Sequence, residues 1–144
     1  MKIVIGCDHA GFPLKEELKT YLLTKEVEVI DCGCNSLESV HYPLYGYAVG
    51  EKVIELGCFG IVVCGSGIGI SIAANKVPGV RCANVNSVEL AKLSRQHNNA
   101  NVIGFGARFI NKDDAIEMLE TFLNTPFEGG RHQIRTDMLD KGNK

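Results

Sequence analysis

Residues 59–69 read Phe-Gly-Ile-Val-Val-Cys-Gly-Ser-Gly-Ile-Gly. The first six form a near-continuous apolar run, as expected of a strand covered on both faces in a parallel sheet. The next five are glycine-rich and lead into a helical pattern that extends to about Lys76. The same strand–turn–helix alternation repeats outward from this stretch. Upstream, residues 2–6 (KIVIG) read as a first strand. A helix is expected over 12–25, where Pro13 suits a first turn and Leu14, Leu18, Tyr21 and Leu22 recur at helical spacing. A second strand is expected over 27–31, followed by turn-rich residues 32–42 with Tyr42 in the loop. Pro43 then opens a helix carrying Tyr47, Val49, Val53, Ile54 and Leu56, with Gly57 as its terminator. Downstream come a strand over 80–85, a helix over 87–96, a strand over 101–105 and a helix over 112–123. Gly129 and Gly130 make a break before a last short helix.

This β–α repetition, without a long hairpin signal, predicts one α/β domain over residues 1–144. We expect a doubly wound, Rossmann-like sheet of about five parallel strands with helices on both faces. Such sheets place ligands beyond the carboxyl ends of their strands, at the switch point in strand order. Asp8 and His9 follow the first strand, Tyr42 the second, Cys64 and the glycine loop the third, and Arg108 the fifth. The fold should gather them along one rim.

Composition narrows the function. The chain has 144 residues, 45% of them hydrophobic and 22% charged, with a formal net charge of −2. That balance suits a globular protein and offers no basic stripe for nucleic acid. No apolar run approaches the roughly 20 residues of a membrane helix. The N-terminus MKIVIGCDHAG has no signal-peptide core, so a cytoplasmic location is expected. Thiols stay reduced there, and Cys7, Cys32, Cys34, Cys58 and Cys82 are read as small hydrophobes without disulfides. Cys32 and Cys34 form a C-x-C pair that no second pair at zinc spacing follows. No His-x-x-x-His or His-Glu-x-x-His pattern occurs, so neither a catalytic metal nor a cofactor is expected.

The loop Gly65, Ser66, Gly67, Ile68, Gly69 lets backbone amides approach an anion closely. It fails the dinucleotide fingerprint, because the third glycine would fall at Ile70, and it lacks the lysine of a P-loop. A plain strand–helix turn is the bland alternative. Cys64 stands immediately before a helix N-terminus and a ring of amides, a setting expected to favour its thiolate. That suits a nucleophile, with His97 and Asn98 as hydrolase partners, or a base beside a carbonyl, with Ser66 passing protons between sugar oxygens. A buried structural thiol is the plain reading here too. Arg131 and Arg135 lie at i, i+4 in EGGRHQIR. On a helix they would share a face and could grip a phosphate dianion, with Arg108 as a third donor; a surface pair beside Asp137 and Asp140 is the alternative. His132 adjoins this pair, and His41 is expected to be exposed.

Taken together, GCDHAG at 6–11, VVCGSGIGISIAANK at 62–76, RQHNNANVIGFGAR at 95–108 and EGGRHQIR at 128–135 resemble the type B ribose-5-phosphate isomerases. That family also includes galactose-6-phosphate and allose-6-phosphate isomerases. The motifs span nearly the whole chain in the family's order. The resemblance implies a homodimer or a dimer of dimers with active sites shared between subunits, the segment at about 126–144 contacting a partner. It implies that Cys64 removes the C2 proton through an enediolate intermediate and that His97 is the acid that opens the furanose ring. Asp8, His9, Tyr42, Gly65 to Gly69 and Asn98 would contact the sugar, and Arg108, Arg131 and Arg135 the phosphate. His41-Tyr42-Pro43 departs from the Asp-Tyr-Pro of many ribose-type members and is similar to some galactose-6-phosphate isomerase subunits. Ser66 replaces a frequent threonine and keeps the hydroxyl. The implied reaction is D-ribose 5-phosphate to D-ribulose 5-phosphate. A hexose 6-phosphate isomerase and a non-catalytic phosphate-binding module remain the alternatives.

Overall fold

In the central strand, β3 (Phe59–Cys64), alternate side chains go to opposite faces, and both faces are covered. Ile61 and Val63 join one buried cluster, Val62 and Cys64 the other. This explains why the run is almost continuously apolar rather than alternating. The computed structural model, which describes residues 1–143, surrounds this strand with β1 (Lys2–Cys7), β2 (Glu28–Asp31), β4 (Cys82–Asn84) and β5 (Val102–Gly106). All neighbours pair in parallel, in the order β2-β1-β3-β5-β4. The helices are α1 (Phe12–Thr24), α2 (Tyr42–Leu56), α3 (Ile68–Asn75), α4 (Val88–Gln96), α5 (Lys112–Asn124) and α6 (Arg131–Lys141). Leu14, Leu18 and Leu22 of α1, Ala91 of α4 and Met118, Leu119 and Phe122 of α5 cover one face of the sheet. Val49 and Val53 of α2 with Ile70 and Ala74 of α3 cover the other. Each fully buried aliphatic side chain contributes about 1.5–3 kcal/mol, so these two layers drive the fold. The expected single α/β domain with helices on both faces is what forms.

The chain leaves β1 toward β2 on one side and returns to β3 on the other. A crevice therefore opens between the carboxyl ends of β1 and β3, the switch point of the sheet. Two local expectations need correction. Tyr42 is not in a loop but is the first residue of α2, with His41 extended at the N-cap and Pro43 in the first turn, where no donor is needed. The strand expected over 80–85 shortens to β4 at the sheet's edge, because Asn101 Oδ1 takes the Arg81 N–H at 2.7 Å.

One buried ion pair anchors the switch-point side. Lys15 is fully buried on α1, and its Nζ donates to both carboxylate oxygens of Asp31 (3.0 and 2.9 Å) and to the Cys34 carbonyl (2.7 Å). Lys19 adds a further hydrogen bond to Asp31 at 3.0 Å. Burial by itself would push the Asp31 carboxyl up, but the bonds from Lys15, the Gly33 N–H and Lys19 outweigh it and hold it below its ordinary value. The loop held this way bonds back to the end of β1 through Cys7 N–H to Gly33 C=O, 2.7 Å, and Cys34 N–H to Cys7 C=O, 3.0 Å. Asp8 follows directly, so the pair sets where that carboxylate begins.

All six cysteines are free thiols. Burial pushes the Cys7, Cys32 and Cys58 thiols up and raises Cys82 to about 12, as suits cysteines that serve as small core residues. Among the described residues no helix is long and apolar enough to cross a membrane.

Candidate active site

The carboxyl ends of β1, β3 and β5 frame an open cleft of about 510 Å³. Its walls carry Asp8, Tyr42, Cys64, Gly65, Ser66, Ile68, Gly69, Arg108 and Phe109. Asp8 is buried, and its Oδ1 accepts the Gly11 N–H at 3.0 Å, which fixes the carboxylate against the turn into α1. His9 stands beside it. Its Nδ1 accepts the Val40 N–H at 3.1 Å, so the neutral ring carries its proton on Nε2.

Cys64 is only 5% exposed, yet it lies on the cleft wall rather than behind it. Its Sγ accepts the Gly67 N–H at 3.1 Å. That amide is aimed at the sulfur because Gly67 adopts φ +79°, a left-handed conformation a side chain would strain. Ser66 is exposed, with its Oγ accepting the Ile68 N–H at 3.2 Å. The loop thus presents a thiol, a hydroxyl and the amino end of α3 to the same space. The Arg108 guanidinium lies over Gly65 so closely that a β-carbon there would stand 2.8 Å from Nη1. A second cavity of about 480 Å³ opens at the other edge of the sheet beside Val53, Ile54, Cys58 and Phe59. Its lining is mostly apolar, with Lys2 as its one charged side chain, and it carries none of the candidate site residues.

The remaining expected residues lie elsewhere. His97 follows α4, which runs back along the sheet, so His97 and Asn98 sit where β5 begins, not where it ends. Five residues of β5 at about 3.3 Å each separate that edge from the cleft, roughly 17 Å. The Glu128 N–H donates to the Gln96 C=O at 3.1 Å and brings the start of α6 to the same edge. There the His97 and His132 rings stack with centroids 4.4 Å apart and planes 11° from parallel. Glu128 Oε1 stands 3.7 Å from His97 Nε2 and 3.5 Å from His132 Nε2. Burial, then the charges of His97 and Arg131, hold the His132 imidazole below its usual value, with Glu128 opposing. Arg131 and Arg135 share the exposed part of α6 as their spacing suggested. Asn98 lines a shallow pocket with Arg81, Cys82 and Leu139. Within one chain, then, Cys64 meets Asp8, Tyr42 and Arg108 but not His97, Asn98, Arg131 or Arg135. A hydrolase dyad of Cys64 and His97 does not form in the single chain.

The model of the ribose/galactose isomerase family matches residues 3–139. The chain belongs to that family. Among curated members, ribose-5-phosphate isomerase B of Escherichia coli is 44% identical over 140 residues, covering 96% of this chain and 93% of that one. Solved members of the family superpose closely. Ribose-5-phosphate isomerase B of Clostridium thermocellum matches with a TM-score of 0.96 and 46% identity, covering 98% and 96% of the two chains. The Mycoplasma genitalium enzyme, solved with bound ribulose-5-phosphate, matches with a TM-score of 0.93 and 40% identity over 97% and 94%.

Sequence reasoning did not single out Glu128 or Phe109. Glu128 lies before α6, and the Gly129–Gly130 turn brings its carboxylate to within 3.5 Å of His132, a placement that the spacing does not announce. Phe109, 76% exposed beside Arg108, had no signal, because exposure of an aromatic is decided by packing alone.

Proposed function

We propose that this chain is a cytoplasmic, cofactor-free isomerase that interconverts D-ribose 5-phosphate and D-ribulose 5-phosphate. The observation that carries the reading is the thiol–amide–arginine cleft at the switch point, in a chain whose relatives bear the ribose-5-phosphate isomerase name along their full length. In this reading the Cys64 thiolate removes the proton from C2 of the open-chain aldose. The electron pair moves into a C1–C2 double bond, and the carbonyl oxygen becomes an enediolate. Amides of the 65–69 loop and the amino end of α3 stabilise that oxyanion. The proton returns to C1, and Ser66 carries the hydroxyl proton between O1 and O2. The shift is redox-neutral within the molecule and requires no external electron carrier.

Ring opening needs an acid at the furanose oxygen, and His97 has that role here. Since one chain holds Cys64 and His97 at opposite edges of its sheet, the complete site is built from two copies, the cleft of one facing the His97 edge of its partner. Arg131, Arg135 and Asn98 then arrive with His97, and Arg108 meets them at the phosphate, while Asp8, His9 and Tyr42 hold the sugar. Exposed apolar residues support this pairing. Ile68 and Phe109 line the cleft, Leu90 lines the neighbouring pocket that they share, and Ile134, Met138 and Leu139 stand out from α6. The segment at 126–144 is the natural arm across that boundary; its last residue, Lys144, lies outside the described residues.

The test is a coupled assay of ribose 5-phosphate turnover in buffer with chelator, beside allose and galactose 6-phosphates. We expect ribose 5-phosphate to give the highest kcat/KM. A hexose preference would reassign the substrate through His41, which is exposed at the head of α2 next to Tyr42. No turnover of any of the three, with phosphate ligands still raising Tm, would leave a binding module.

A further inference from the structure

His97, Glu128 and His132 offer three ligand atoms that all lie within 4.8 Å of one another, the one such group among the described residues. Two imidazoles and a carboxylate are the donor set of many zinc sites, and zinc bonds of about 2.0–2.1 Å place tetrahedral ligand atoms roughly 3.3 Å apart. The separations here are 3.5 Å between His132 Nε2 and Glu128 Oε1 and 3.7 Å between His97 Nε2 and Glu128 Oε1. Both nitrogens already face one carboxylate oxygen. The frame beneath them is set: Glu128 and His132 are four residues apart across the start of α6, and the Glu128 N–H bonds the carbonyl of Gln96, the residue before His97. The rings are stacked 11° from parallel, so one of them must rotate out of the stack before both lone pairs converge on one cation. The His132 side chain is only 9% exposed and stays in place, whereas His97, 40% exposed, and Glu128, 49% exposed, have room to move. With three protein ligands, water takes the fourth position, as in open zinc sites.

We propose that His97, Glu128 and His132 form an inhibitory site for Zn(II) and related borderline cations, outside the thiol cleft. The inhibition rests on the reading of His97 as the ring-opening acid. A nitrogen bonded to the cation has no proton to give, and coordination turns the ring toward Glu128. The cation enters as an ion with water as the remaining ligand, and no bond of the sugar is altered by it. Selectivity follows ligand type: Co(II), Ni(II), Cu(II) and Zn(II) suit imidazole, whereas Mg(II) does not.

Metal-free protein, prepared with chelator and then freed of it, would be titrated with Co(II) while its visible absorption is recorded. One equivalent per chain should produce the bands of a tetrahedral or five-coordinate N/O site, abolished by added Zn(II). Zn(II) should also suppress ribose 5-phosphate turnover, and chelator should restore it. Glu128→Gln removes the shared carboxylate and leaves Cys64, His97 and the three arginines in place. It should keep metal-free turnover, weaken Co(II) binding by more than about tenfold and relieve the inhibition in proportion. His132→Asn should weaken binding equally. Absence of the bands in folded protein, bands of equal strength in Glu128→Gln, or inhibition undiminished in that variant would each overturn the site. Tight Co(II) binding with turnover intact would overturn the inhibitory role and the assignment of His97 together. Failure of the isomerase reading has a different signature, no turnover in metal-free buffer whatever the cobalt spectrum shows.

Discussion

The two edges of the sheet are built on different physical terms. At the carboxyl edge, functional groups are buried or backed by backbone: Asp8 is tied to the Gly11 amide, Cys64 to the Gly67 amide, and the neighbouring loop is fastened by the buried Lys15–Asp31 pair. At the amino edge, Arg131, Arg135 and Asn98 are exposed, His97 is half-exposed, and the acid beside it, Glu128, is itself half in water. The first edge offers a nearly buried thiol beside preorganised amides, the setting that the proposed proton abstraction would use. The second offers exposed cationic and polar side chains, which the proposed site would use to capture a charged substrate. Neither edge is a whole site, and the rigid length of β5 keeps them apart in one chain. In the proposed reaction a symmetric partner brings the two kinds of edge face to face.

The sharpest way to break this comparison is subunit mixing. Cys64→Ala and His97→Asn should each lower kcat by about 10²–10⁴-fold while leaving the fold unchanged by circular dichroism. Co-refolded in equal amounts, the two variants would form mixed dimers that each contain one intact site. Activity should return to about a quarter of wild type, the fraction of sites with both residues present. Mixtures no better than either variant would mean that the edges do not meet across copies.

Stability should separate the edges next. Asp31→Asn leaves a fully buried Lys15 ammonium with only the half-exposed Glu16 carboxylate at 3.5 Å, and we expect a loss of about 3–5 kcal/mol in urea unfolding. The sign with pH follows from the depressed Asp31 carboxyl. Its contribution is fully present above the unfolded carboxylate value of about 4 and is lost as pH falls through the lower folded value. Wild type should therefore lose stability more steeply than Asp31→Asn below about pH 4. Parallel slopes for the two proteins would show that the pair does not anchor the carboxyl edge.

A smaller effect tests how closely Arg108 rides over the loop. Gly65→Ala places a methyl 2.8 Å from Arg108 Nη1, so the guanidinium must move. Losing one charge-assisted contact of about 1.5 kcal/mol should raise KM roughly tenfold, with kcat much less affected. An unchanged KM would remove Arg108 from the phosphate site. The smallest expected change lies at the amino edge. There α6 is held to the body by Arg81 Nη1 and Asp140 Oδ1 at 2.6 Å, with the Asp140 side chain 45% exposed. Asp140→Asn should cost only about 0.5–1 kcal/mol, read from the same urea curves. A loss as large as that of Asp31→Asn would erase the contrast between a buried and a wet edge.

Much of this was legible along the chain. The apolar run at 59–64 announced a strand buried on both faces, Pro43 and Gly57 marked the ends of α2, and the i, i+4 arginines reached α6 as spaced. Cys64 stood out because a thiol between a strand and a glycine turn has a chemical reason to be there. The misses share a cause. Lys15 went unmentioned in the sequence reading, since nothing near it in the chain reveals a carboxylate 16 residues away under the helix. Tyr42 was read as loop because the cap at His41 uses backbone extension and no capping side chain. The strand at 80–85 was cut short by a side-chain amide 20 residues on, a competitor that local propensity does not register.

By itself the sequence determined the α/β class, the kind of elements and their order, and the chemical identity of the groups that could act. Those follow from periodicity and side-chain chemistry, which are local. The strand order β2-β1-β3-β5-β4, the crevice between β1 and β3, and the separation of Cys64 from His97 were decided only by tertiary structure. They depend on which apolar faces pack together and on the length of a strand between two loops, and residues distant in the chain set both.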